Sequence, residues 1–128
     1  MTKKILVVLV ALVLVFTLSA CSKGYTNISN DELVDMIDNH YDEYQFVDVR
    51  TSSEFYNEKI PGFNTLIDYY LLENDHSLLD GLDKNIPVVI MCNSGNRSVD
   101  ASNIFVDEGF AVYNLTNGIE GWDGPTLP

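Results

Sequence analysis

The stretch Ile86-Pro87-Val88-Val89-Ile90-Met91-Cys92-Asn93-Ser94-Gly95-Asn96-Arg97-Ser98 decides how the rest of the chain is read. A β-branched apolar run ends in a cysteine, a polar loop with one glycine and one arginine follows, and a helical pattern begins beyond it. The order predicts a central strand, a nucleophile at a strand-to-helix turn, and a helix starting near Ser98. Val99, Ser102, Phe105 and Val106 would share one face of that helix, and Gly109 would stop it as the residue just past its end. First-turn amides and the positive end of the helix dipole would then stabilise negative charge on Cys92, with Arg97 adding to the effect. A cysteine kept only for packing needs neither the loop nor the arginine.

Outward from this stretch, the pattern alternates strands with helices. Ser29-Asn30-Asp31-Glu32 and Thr51-Ser52-Ser53-Glu54 are both capping boxes, the first with Ile28 and Leu33 placed as a hydrophobic staple. They predict a helix to about Asn39, with Leu33, Met36 and Ile37 inward, and a short helix ending before the turn at Ile60-Pro61-Gly62. Between them Tyr44 to Val49 reads as a strand. Thr65 to Ile67 is assigned to a strand, Tyr69 to Leu72 to a helix, Leu78 to Leu82 to a short helix, Ala111 to Leu115 to the last strand and Ile119 to Trp122 to a terminal helical turn. Such alternation implies an α/β domain, a mainly parallel sheet with helices on both faces. The length of 128 residues suits one core.

The first residues do not belong to that domain. Lys3-Lys4 precede an apolar run from Ile5 to Phe16, and Leu18-Ser19-Ala20-Cys21 closes it, the three parts of an export signal. The run is short for a membrane span, which needs about 20 apolar residues. With cysteine after Leu-Ser-Ala, the segment resembles a bacterial lipoprotein signal. That resemblance implies cleavage of residues 1–20, lipidation of Cys21, a tether over residues 21–27 and a domain over residues 28–128, held outside the cytoplasm on a bacterial membrane.

From Cys21 onward the chain carries five basic residues against nineteen acidic ones, a formal charge of −14. A surface of that sign argues against nucleic acid as a partner. His40 and His76 have no ligand spacing, so neither a metal nor a cofactor is expected. With Cys21 lipidated, Cys92 would be the one remaining thiol and could form no internal disulfide.

Four stretches together resemble the rhodanese family of sulfurtransferases. Cys92-Asn93-Ser94-Gly95-Asn96-Arg97-Ser98 resembles its Cys-x-x-Gly-x-Arg-Ser loop, and Asp48-Val49-Arg50 its first-strand motif. Glu54-Phe55 with Ile60-Pro61-Gly62 is similar to its central motif, and Gly109-Phe110 through Tyr113-Asn114-Leu115, Gly118-Ile119 and Trp122 to its C-terminal end. The resemblance implies a single rhodanese-like domain in which Cys92 takes a sulfane sulfur from a small anionic or persulfide donor and passes it to a thiol or cyanide; the chain is expected to be a monomer. Asn93, Ser94, Gly95, Asn96, Arg97 and Ser98 would bind the donor. Two other readings stay open: a loop that binds anions or senses reactive sulfur without turnover, and a cysteine-dependent phosphatase, which resembles Cys-x₅-Arg and would need arginine where Ser98 stands. The chain departs from the family at Glu58, Lys59 and Phe63, and Phe63 is expected to narrow the site. Arg50 is expected to pair with Glu54 four residues on.

Overall fold

The computed structural model describes residues 24–128, so the signal-like segment and Cys21 lie outside the described residues. Five strands, β1 (Tyr25–Ile28), β2 (Gln45–Asp48), β3 (Thr65–Leu66), β4 (Val88–Met91) and β5 (Val112–Leu115), form one sheet in the order β1-β5-β4-β2-β3. Every neighbouring pair is parallel, with Val88 of β4 opposite both Gln45 and Val112. Four helices complete the domain: α1 (Asn30–Asn39), α2 (Ser52–Asn57), α3 (Tyr69–Leu72) and α4 (Asn96–Asp107). Leu78 and Leu79 fall in a 3₁₀ turn, His76–Leu79, and Ile119 to Trp122 form turns rather than a helix. None of the described helices is long and apolar enough to cross a membrane.

Successive residues of a strand face opposite sides of a sheet, and the apolar run of β4 divides accordingly. Val88 and Ile90 join Val47, Val112, Leu72, Ala101 and Phe105 on the side covered by α3 and α4. Val89 and Met91 join Phe46, Leu115, Leu33 and Met36 on the side covered by α1. A strand covered on both faces is apolar throughout, which is why β4 shows no alternation in its sequence. Both capping boxes form, at Ser29 with Glu32 and at Thr51 with Glu54.

Further expectations need correction. Tyr25 to Asn27, assigned to the tether, belong to β1 and pair with Val112 to Asn114 of β5; the strand is an exposed edge that alternates too weakly to be read as one. Helix α4 begins at Asn96, two residues before Ser98, because Gly95 takes φ 96° and turns the chain straight into the helix. Its inward face is Ser98, Ala101, Ser102 and Phe105, while Val99 and Val106 are only half-buried. Phe63 fills the core beside Phe46, ring centroids 5.5 Å apart, on the α1 side of the sheet. It cannot narrow a site built around Cys92, which packs on the other side.

Candidate active site

Cys92 is the first residue beyond β4, at the centre of the sheet's C-terminal edge, where ligands bind in open parallel sheets. Its Sγ accepts a hydrogen bond from the Gly95 amide at 3.1 Å. The thiol donates to Ser98 Oγ at 3.4 Å, and the Ser98 hydroxyl donates onward to the Gly95 carbonyl at 3.3 Å. Ser98 therefore lies inside the first turn of α4 rather than capping it. Its hydroxyl proton can rotate, so the same oxygen that accepts from the thiol can donate to a thiolate.

Three features hold the loop in this shape. The residues after β5 fold over it: the amides of Ile119 and Glu120 donate to the carbonyls of Cys92 and Asn93 at 2.9 and 3.0 Å, and the Asn93 side chain reaches the Glu120 carboxylate at 2.8 Å. Gly95 is pressed against that cover, and a Cβ there would stand 2.1 Å from the Thr116 carbonyl oxygen. The third feature is a fork: Arg97 Nη1 and Nη2 donate to the two carboxylate oxygens of Glu54 at 2.7 and 2.8 Å, with the Tyr70 ring 5.6 Å from the guanidinium carbon. Ser94 and Asn96 are exposed, whereas Cys92 contributes no accessible surface. Sγ is therefore closed to solvent in this structure.

The expected Arg50–Glu54 pair does not form. Arg50 precedes the N-cap Thr51, so it is not on the helix that carries Glu54 and the i, i+4 spacing has no helical meaning there. Its guanidinium turns back onto Asp48, Nη2 to Oδ2 at 2.7 Å, and reaches the Glu58 carbonyl at 2.7 Å. Glu54 is left free for Arg97, a partner 43 residues away. The arginine fork first, and then the Thr51 hydrogen bonds, hold the Glu54 carboxyl at about 2, while Arg97 is raised by the same contact. A depressed folded pKa stabilises the protein above the unfolded value, about 4.3, and that stabilisation is lost as pH falls toward the folded value. The stability difference between wild type and Glu54→Gln should therefore be constant above about pH 5 and shrink toward pH 2, as chemical denaturation across that range would show. A difference independent of pH would mean that the fork contributes nothing to folding.

The two histidines are occupied elsewhere. His40 sits beside Glu43 and Asp35, and His76 Nδ1 lies 2.9 Å from Glu108.

The rhodanese-like domain model matches residues 29–124, nearly all of the described chain. The chain belongs to the rhodanese-like domain family. Among similar proteins are the thiosulfate sulfurtransferase GlpE of Pseudomonas fluorescens, 35% identical over 77 residues covering 59% of this chain and 67% of that one, and GlpE of Actinobacillus pleuropneumoniae serotype 5b, 28% identical over 109 residues covering 84% and 94%. Among solved structures, a rhodanese-like domain protein from Staphylococcus aureus is 28% identical, with a TM-score of 0.66 over 76% of this chain and 90% of that one. A Bacillus halodurans protein at 24% identity has a TM-score of 0.72 over 81% and 77%, which shows the shared fold. Membership relates the chain, at the level of the family, to rhodanese-type sulfurtransferases, a family that implies a sulfur donor and a thiol acceptor as substrates. The motifs that carried the resemblance thus stand on one continuous rhodanese-like domain.

Proposed function

We propose that this rhodanese-like domain is an active sulfurtransferase with Cys92 as its nucleophile. The observation that carries the reading is the setting of Sγ, which sits at the end of the central strand with an amide aimed at it and a hydroxyl able to donate to it. In the first half-reaction the Cys92 thiolate attacks the outer sulfur of the donor. A new S–S bond forms, the donor's own S–S bond breaks, and its electron pair leaves with the departing group. Negative charge moves from Sγ to the outer sulfur, where the amides at the start of α4 surround it as they would an oxyanion. An acceptor thiolate or cyanide then attacks that outer sulfur and returns Cys92 as thiolate.

Asn93, Ser94, Gly95, Asn96 and Ser98 supply the loop's backbone, and Arg97 braces it through Glu54. Intact mass measurement of the protein after exposure to a sulfane donor tests this: one added sulfur atom on Cys92, removed again by cyanide, is the expected result. The complete burial of Cys92 favours a second reading, a loop that binds an anion without turnover. Binding with no added mass would establish that reading instead.

We also propose that Cys21 carries lipid and holds a monomeric domain outside the cytoplasm, on the strength of the Leu18-Ser19-Ala20-Cys21 signal. Cys21→Ala should then move the protein from the membrane to the soluble fraction in cell fractionation, with sulfur transfer unchanged in the released domain. Retention of this variant in the membrane, with its first 20 residues removed, would end the tethering model.

A further inference from the structure

Among the described residues there are four cations, and none is free at the loop. Arg50 is buried against Asp48. Lys59 lies over the Phe55 ring at 4.5 Å and Lys84 over the Phe110 ring at 5.9 Å. Arg97, the cation of the loop itself, is covered edge-on by both oxygens of Glu54 and flanked by Tyr70, and its side chain keeps only 18% of its surface exposed. Beside it α3 presents the Tyr70 ring, 53% exposed. A dianion approaching Cys92 therefore meets a neutralised arginine, the apolar face of the Tyr70 ring and the field of nineteen carboxylates.

We propose that the site takes sulfur from singly charged organic sulfane donors with an apolar substituent, in preference to dianionic inorganic ones, and that Glu54 sets this preference by occupying Arg97. This rests on the sulfurtransferase reading above. Thiosulfate and methanethiosulfonate form a matched pair, because both present a terminal sulfur on an oxidised sulfur and differ by a methyl group in place of one charged oxygen. With either donor, the Cys92 thiolate takes the terminal sulfur as a persulfide anion, and the S–S electron pair leaves on sulfite from thiosulfate or on methanesulfinate from methanethiosulfonate. No oxidant, reductant or extra proton is required.

Glu54→Gln is a suitable perturbation because glutamine serves in a capping box as glutamate does, so α2 keeps its start while the fork loses its charge. Asp107→Asn removes the same charge at the far end of α4, away from the loop. For each protein, kcat/KM with cyanide as acceptor is measured for both donors at low ionic strength and divided by the rate of the same donor with a free thiol. Wild type should favour methanethiosulfonate by more than about tenfold, the scale of a single charge acting at close range near a protein surface. Glu54→Gln should reduce that preference at least about fivefold, and Asp107→Asn should leave it in place.

Because the readout is a ratio within one protein, a general loss of activity in a loosened variant does not alter it. Equal use of the two donors by wild type, or an unchanged preference in Glu54→Gln, overturns the proposal alone. A shift in Asp107→Asn as large as that in Glu54→Gln overturns the role of Glu54 and assigns the effect to the bulk field. If neither donor adds a sulfur atom to wild-type Cys92 by mass, the sulfurtransferase reading falls and the donor preference falls with it.

Discussion

Cys92→Ser is expected to lower sulfur transfer to cyanide by about a thousandfold or more while the domain stays folded. A serine hydroxyl remains protonated at neutral pH and forms no persulfide, so no covalent intermediate can be held. The substitution is nearly isosteric, and the Gly95 amide keeps an acceptor in the serine oxygen at the position where Sγ accepts at 3.1 Å. Thermal unfolding should therefore be close to that of wild type, and a steady-state assay with either donor reads the loss. Turnover retained by the folded variant would place the chemistry on another residue.

Arg50→Ala should have the largest effect on stability. Asp48 has no exposed surface and Arg50 only 3%, and the two share hydrogen bonds at 2.7 to 3.1 Å. Removing the guanidinium strands a carboxylate in the core and leaves the Glu58 carbonyl without its donor. Breaking a buried pair in this way costs about 3–5 kcal/mol, a large share of the 5–15 kcal/mol that typically holds a domain together. Tm should drop by at least about 12 °C. Because an intact buried pair itself costs desolvation, replacing both partners with apolar residues, Asp48→Leu with Arg50→Met, should recover much of the loss. A single variant as stable as wild type would show that water reaches Asp48.

Local chemistry was legible in the sequence, and long-range pairing was not. The two capping boxes, the fully apolar β4 and the glycine in the Cys92 loop each act within a few residues, so their spacing alone placed α1, α2 and the central strand. The ordered motifs placed the family. The edge strand β1 escaped because Tyr25-Thr26-Asn27-Ile28 buries fully only its last residue and owes its extended form to β5, far along the chain. Arg97 was singled out as the cation of the loop, and its own sequence neighbourhood says nothing of Glu54. Glu54 could be read as a cap because that partner, Thr51, is three residues away. Its second role appears only once the sheet brings α2 beside α4, and the spacing to Arg50 pointed to the wrong arginine. Phe63 misled for the same reason: at a motif position it suggested a pocket wall, but the fold gives it to the core under α1.

The all-parallel sheet gives the domain a direction. Chain entry is at Tyr25, level with Val112 and Val88, while Cys92 lies past the opposite ends of the same strands. Gly24 confirms the polarity, since a Cβ there would touch Val106 near the end of α4, the helix whose start carries the loop. That helix alone, at twelve residues, separates the two ends by about 18 Å. Four residues lie from Cys21 to Tyr25 and reach at most about 14 Å when fully extended. If Cys21 carries lipid, as proposed above, the point of attachment joins the domain at the end of the sheet away from Cys92, so the sulfur-handling loop is the part of the domain farthest along the strands from its anchor.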